Sequence, residues 1–287
     1  MRVTALIGVL LALVLPAETL AGSARMAITV APGLTAEADY WPGEANKPSI
    51  LILHGFLVTR EFSTVRRLAE ALAAEGYSVL TPTLSLGLNR RQQSLACEAM
   101  HTHSMEQDLA ELRAWVRWLR ERSGKAPVLL GHSAGGVQLA ALVSAEPPVE
   151  VAGTILVSLS YFGEEQGPEE VARLRARARA DQSTLGEAMR HYQLTYCRSY
   201  VTTPANLLSY LDWDRERLRQ ALLDSPVPVT VIYGDRDQRI DLAWIEELGQ
   251  GGVAVRAVAG ANHFFDLAYE FDLLDEVMAS IGGLGHG

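Results

Sequence analysis

Residues Ser49–His54 read Ser-Ile-Leu-Ile-Leu-His, an unbroken apolar run of the kind required by a strand buried on both faces of a parallel sheet. The period then changes. Val65, Leu68, Ala69 and Leu72 share one face of a predicted helix over Glu61–Glu75, and Gly76 marks its stop. Tyr77–Thr81 returns to a strand pattern that ends at Pro82. Residues 82–103 carry no period. Ser104 and Gln107 form a capping box, and Met105, Leu109, Leu112, Val116 and Leu119 form the apolar stripe of the helix behind it. Ser123-Gly124 ends that helix. Val128–Leu130 predicts a strand, followed by a Gly-rich turn and a helix to about Ala145. Val151–Ser158 predicts the next strand. Residues 160–226 turn polar and helix-prone. Strand Val229–Tyr233, helix Leu242–Leu248, strand Val253–Val258 and helix Tyr269–Ile281 then restore the alternation. Two short strands, Ile28–Val30 and Ala36–Trp41, precede it all, split by the turn Pro32-Gly33.

Strand and helix alternating from residue 49 onward predict a doubly wound, mostly parallel α/β sheet. The interruption after the sixth strand is too short for its own core. It is expected to form a helical lid over the carboxyl ends of the strands, where such sheets bind ligands. Residues 82–103 leave the same edge. Arg173, Arg175, Arg177 and Arg179 recur at spacing two, which spreads them around a helix. They predict a solvated lid helix rather than an anion-binding patch.

The N-terminus departs from this pattern. Met1-Arg2 is followed by an apolar run from Val3 to Leu15, then Pro16 and the small residues Ala17, Ala21, Gly22, Ser23 and Ala24. One positive charge, a short apolar core and a small-residue exit describe a secretory leader over residues 1–24, cleaved after Ala21 or Ala24. The run is shorter than the roughly 20 residues that a spanning helix needs. Ser23 stands where a lipoprotein signal has its lipidated Cys, so no stable membrane anchor is expected after cleavage. Residues 25–287 then form one domain, periplasmic or secreted.

Composition narrows the picture further. The chain of 287 residues is 48% hydrophobic and 21% charged, which argues against disorder. A net charge of -9 argues against nucleic acid as the main partner. Two cysteines are too few for a disulfide scaffold. In an oxidising compartment two thiols in one chain often pair, and Cys97 and Cys197 lie in the two segments assigned to one edge of the sheet. A Cys97–Cys197 disulfide is therefore expected, the alternative being two separately buried thiols.

Gly131-His132-Ser133-Ala134-Gly135 has the form Gly-x-Ser-x-Gly directly between a strand and a helix. A nucleophile on such a tight turn points away from the sheet, and side chains two residues to either side would clash. A serine hydroxyl needs a base, which an acid must orient. On this fold the order is Ser, acid, His. His263 follows the last strand, whereas His191 falls in the lid and His286 in the tail. The acid is Asp235 or Asp237, both after the strand Val229–Tyr233. His101 and His103, with Glu98 and Glu106 nearby, lack a second ligand cluster, so an exposed polar loop or a rim over the site is expected rather than a metal centre.

With His54-Gly55-Phe56, Gly-His-Ser-Ala-Gly at 131–135, Gly234-x-x-Asp237 and His263-Phe264, the chain resembles the α/β-hydrolase superfamily over residues 26–282. In similar proteins the acid stands fourth in the Gly-x-x-Asp motif, which selects Asp237. The resemblance also implies an oxyanion hole from the N–H groups of Phe56 and Ala134, with His54 structural. Departures narrow the class. There is no His-Gly-Gly-Gly, so the hormone-sensitive-lipase-like branch fits poorly. The nucleophile is neither Asp nor Cys, which disfavours haloalkane dehalogenase, epoxide hydrolase and dienelactone-hydrolase-like chemistry. What the resemblance implies is hydrolysis of a small ester or acyl substrate without metal or organic cofactor. A peptidase, thioesterase or acyltransferase would use the same three residues, and a non-catalytic binding protein would share only the fold.

Overall fold

The computed structural model describes residues 22–284. The expected leader, all but its last three residues, and His286 lie outside them. In chain order the elements are β1 (Ala24–Ala31), β2 (Leu34–Trp41), β3 (Ser49–Leu53), α1 (Ser63–Ala74), β4 (Ser78–Thr83), β5 (Met100–His101), α2 (Met105–Ser123), β6 (Val128–His132), α3 (Ala134–Val143) and β7 (Gly153–Val157). There follow α4 (Pro168–Leu185), β8 (Arg190–Leu194), β9 (Cys197–Thr202), α5 (Pro204–Leu211), α6 (Arg215–Leu223), β10 (Val229–Gly234), α7 (Leu242–Gln250), β11 (Ala254–Val258) and α8 (Tyr269–Gly283).

Eight strands form the central sheet in the order β1-β2-β4-β3-β6-β7-β10-β11. β1 pairs antiparallel with β2, and β2 antiparallel with β4; every later pair is parallel. The apolar run of β3 is divided by the pleat. Ile50 and Ile52 join the core under α1 and α8, while Leu51 and Leu53 join the core under α2 and α3. A strand covered on both faces has no polar side to show, hence the unbroken run. The fold is a doubly wound, mostly parallel α/β sheet with helices on both faces. β1 is longer than its three-residue apolar core suggests, because an edge strand exposes alternate positions; Met26, Ile28 and Val30 pack inward.

The segment between β7 and β10 is not wholly helical. Besides α4, α5 and α6 it holds the hairpin β8–β9, whose Tyr192, Leu194 and Tyr200 are buried. Their period of two was outweighed in the sequence by flanking polar residues. β5, inside the stretch without periodicity, pairs parallel with β9 and completes a second sheet in the order β5-β9-β8. A disulfide joins Cys97 to Cys197, Cα to Cα 5.3 Å, just before β5 and at the start of β9. On α4, Arg173 is exposed and pairs with Glu170, as a solvated helix predicts. Arg175 is not solvated in this way; it is partly buried against Asp214 and the Leu211 carbonyl. No helix among the described residues is long and apolar enough to cross a membrane.

Candidate active site

Ser133 sits between β6 and α3 at φ 56° and ψ -130°, a backbone state that an L residue keeps only when its surroundings enforce it. The neighbouring glycines are what allow the turn. A Cβ on Gly131 would lie 2.7 Å from the Gly136 nitrogen, and one on Gly135 would lie 2.4 Å from the His54 carbonyl oxygen. The Ser133 N–H donates to the Val157 carbonyl at 2.8 Å, which ties the turn to β7. Ser133 is the N-cap of α3 but makes no side-chain cap, so its hydroxyl stays free to face outward.

His263, on the loop after β11, reaches Ser133. Its Nε2 lies 3.1 Å from Ser133 Oγ, and its Nδ1 lies 2.8 Å from Asp237 Oδ2. The loop is pinned by two neighbours. The His132 Nε2–H donates to the His263 carbonyl at 3.0 Å, and the Thr64 hydroxyl donates to the Phe264 carbonyl at 2.9 Å. His132 is buried and stacked on Phe62, and burial above all, with the His263 charge, pushes its pKa down to about 4. It is therefore neutral and carries the donating Nε2–H. Asp237 is buried beyond the end of β10. Burial works to raise its pKa, but the His263 hydrogen bond and charge outweigh it, together with the Arg239 N–H that donates at 2.8 Å. The carboxyl is held below the usual carboxylate range. Asp235 is placed elsewhere. It is exposed and accepts the Gly260 N–H at 2.6 Å, a turn-capping carboxylate.

Phe56 and Ala134 line the same cavity as Ser133 and His263, a space of about 320 Å³. Its walls are Phe56, Val58, Phe62 and Phe264, with Tyr196, Glu165 and Arg239 among the polar residues around it. His54 supports the loop below. Its Nδ1–H donates to the Gly55 carbonyl at 2.8 Å and its Nε2 accepts the Leu84 N–H at 3.1 Å. Burial, then the Arg91 charge, lowers its pKa to about 3, so it stays neutral.

His101 and His103 are buried, not an exposed loop or a rim. His101 stacks on Tyr200 at 4.1 Å between centroids and bonds to the Cys97 carbonyl. His103 bonds to the Tyr210 hydroxyl, which donates to Asp108. Residues 82–103 show no period because isolated apolar anchors, Leu84, Leu86 and Leu95, alternate irregularly with polar contacts. Arg91 and Tyr196 carry no signal in residue types. Arg91 sits in a run of polar residues, and Tyr196 becomes visible only once the hairpin β8–β9 is recognised.

A family model described as the alpha/beta hydrolase family matches residues 50–273. The chain belongs to that family. Est1E from Butyrivibrio proteoclasticus shares its architecture at a TM-score of 0.62 and 16% identity, with 92% of this chain and 100% of that one covered. A monoacylglycerol lipase from Paleococcus ferrophilus matches at a TM-score of 0.61 and 15% identity, covering 88% of this hydrolase and 99% of the lipase. A thermophilic esterase from Thermogutta terrifontis matches at a TM-score of 0.60 and 17% identity, covering 92% and 99%. At such identities the likeness is one of fold. No curated protein matches this hydrolase by sequence.

Proposed function

We propose that this hydrolase cleaves carboxylic esters through an acyl-enzyme, with Ser133 as nucleophile, His263 as base and Asp237 as its orienting acid. The observation that carries the reading is the continuous chain Ser133 Oγ, His263 Nε2, His263 Nδ1, Asp237 Oδ2, with links of 3.1 and 2.8 Å, opening onto the 320 Å³ cavity. His263 Nε2 takes the hydroxyl proton as Ser133 Oγ attacks the ester carbonyl. Charge develops on the carbonyl oxygen, and the N–H groups of Phe56 and Ala134 receive it. Each such donor is worth about 2.7–4 kcal/mol. The proton then passes from His263 to the alcohol oxygen as the carbon–oxygen bond breaks. Water, deprotonated by the same nitrogen, releases the acid and restores Ser133. Asp237, ionised at neutral pH, fixes the tautomer with Nδ1–H and stabilises the imidazolium.

The aromatic wall of Phe56, Phe62 and Phe264 favours an acyl or alcohol group of small to medium size. Residues 160–226 act as a lid, since Ser160, Glu165, Thr195 and Tyr196 all reach the cavity. Export is supported by the leader pattern of residues 1–24 and by the Cys97–Cys197 bond.

A fluorophosphonate probe tests the assignment. Wild type is expected to label and Ser133→Ala is not; equal labelling of the two would remove Ser133 from the mechanism. Turnover of short p-nitrophenyl esters without turnover of aminoacyl amides is expected, and the reverse preference would replace the esterase reading with a peptidase.

A further inference from the structure

Arg91 is buried, only 5% exposed, and among the described residues no carboxylate lies within ion-pair distance of it. Its guanidinium is spent on carbonyls instead. Nε–H donates to Leu84 O at 2.6 Å, Nη1 donates to Gln93 O at 2.9 Å and to Leu57 O at 3.3 Å, and Nη2 donates to Val58 O at 2.9 Å. A buried cation with no carboxylate in contact is costly, even with the charges of Glu111 and Asp108 in the surroundings. What it holds is a peptide segment that would not hold itself. Leu57 has φ 57°, a left-handed conformation that a non-Gly residue keeps only when its surroundings over-determine it. Its carbonyl accepts the Leu95 N–H at 3.0 Å besides the Arg91 bond. One residue earlier, the Phe56 carbonyl accepts the Tyr196 hydroxyl at 3.0 Å.

We infer that Arg91 is a positioning residue for the oxyanion-binding amide: it locks the strained Leu57 peptide, and so the direction of the Phe56 N–H toward the carbonyl attacked by Ser133. This rests on the serine-hydrolase reading above. The two peptides that flank Leu57, the residue next to Phe56, are gripped from outside the sheet. The Arg91 segment holds one, and Tyr196 holds the other. The Cys97–Cys197 bond ties those two segments together. Lysine cannot replace the fork, because one ammonium cannot reach carbonyls spread over Leu57, Val58, Leu84 and Gln93. An aim that drifts weakens the transition state, where the oxygen is charged, more than the bound ester.

The test compares wild type, Arg91→Lys and Tyr196→Phe on a p-nitrophenyl ester, with a trifluoromethyl ketone as the mimic of the tetrahedral adduct. Active sites are counted by fluorophosphonate titration, so that misfolded protein is excluded from kcat. Per active site, Arg91→Lys is expected to lose about 10- to 100-fold in kcat, less than the roughly 100- to 1000-fold for loss of a whole oxyanion donor, because the donor is misaimed and not removed. KM is expected to stay within about threefold, and affinity for the ketone to fall by the same factor as kcat. Tyr196→Phe keeps the aromatic wall, folds independently of any effect at Arg91, and is expected to lose a smaller factor in kcat with the same split. If Arg91→Lys yields no folded protein, Leu57→Gly decides: a glycine frees the peptide that Arg91 holds, and the same parallel loss of kcat and ketone affinity is expected, whereas unchanged values overturn the role. Unchanged kcat per site, or a ketone affinity that does not follow kcat, overturns the positioning role while wild-type labelling at Ser133 leaves the hydrolase reading standing. A wild type that neither labels nor binds the ketone overturns both.

Discussion

Ser133, at φ 56°, holds a backbone strain of about 1–3 kcal/mol that the fold must offset. That strain is why the proposed nucleophile is legible: a residue held so tightly demands glycines at fixed offsets, and those are visible as letters. His263 was legible through chain order. Only the family pattern separates Asp237 from Asp235 in the sequence, and the geometry explains the difference. The turn places Asp235 against the Gly260 N–H and Asp237 against the His263 ring. Asp237→Asn is therefore expected to lower kcat by about 10⁴-fold by leaving the wrong tautomer. Asp235→Asn is expected to change kcat by less than about twofold and to cost about 1 kcal/mol of stability at most. Equal losses of kcat in the two variants would contradict this assignment. Arg91 was not legible, because a side chain that serves four carbonyls leaves no pattern in residue types.

The elements of the central sheet followed from apolar runs, since burial on two faces leaves no choice of composition. The small sheet did not. β5 has two residues, and β8 and β9 alternate apolar and polar positions for only a few residues, so their pairing is created by tertiary contact. The Cys97–Cys197 bond stabilises that contact by closing a loop of 100 residues in the unfolded chain. Replacing both cysteines with alanine is expected to cost about 2–4 kcal/mol. At this chain size that lowers Tm by roughly 4–16 °C. Differential scanning calorimetry of the oxidised protein and the double variant measures it. A shift under about 2 °C would mean that the strand pairing holds the segments without the bond.

Across the molecule, buried titratable groups set how stability responds to pH. Burial lowers His54 to about 3, and His101 and His132 to about 4. They stay neutral in the fold but take protons when unfolded below about 6.5. Their contribution is present above that pH and is lost as the pH falls through 4 to 3. Glu111 and Glu164 run the other way. Burial lifts both to about 7, so the folded chain keeps protons that unfolded glutamate releases near 4.5. That contribution is complete below about 4.5 and is lost as the pH rises through 7. From about 4.5 to 6.5 the three histidines outweigh the two glutamates, and stability rises with pH. Above about 6.5 only the glutamates titrate, and it falls. Urea midpoints are therefore expected to peak near pH ~6.5, and Glu111→Gln to flatten the decline on the alkaline side. A wild-type profile that keeps rising to pH 8 would refute this balance.

The second sheet also bears on how this hydrolase can be rebuilt. β5 comes from the stretch after β4, whereas β8 and β9 come from the stretch after β7, so neither stretch is a self-contained module. Transplanting residues 160–226 alone into another hydrolase would strip β9 of β5, one of its two neighbours, and leave Cys197 as an orphan thiol. A chimaera that retains the donor's substrate preference must carry residues 84–103 as well, two separate cuts that travel as one inheritance.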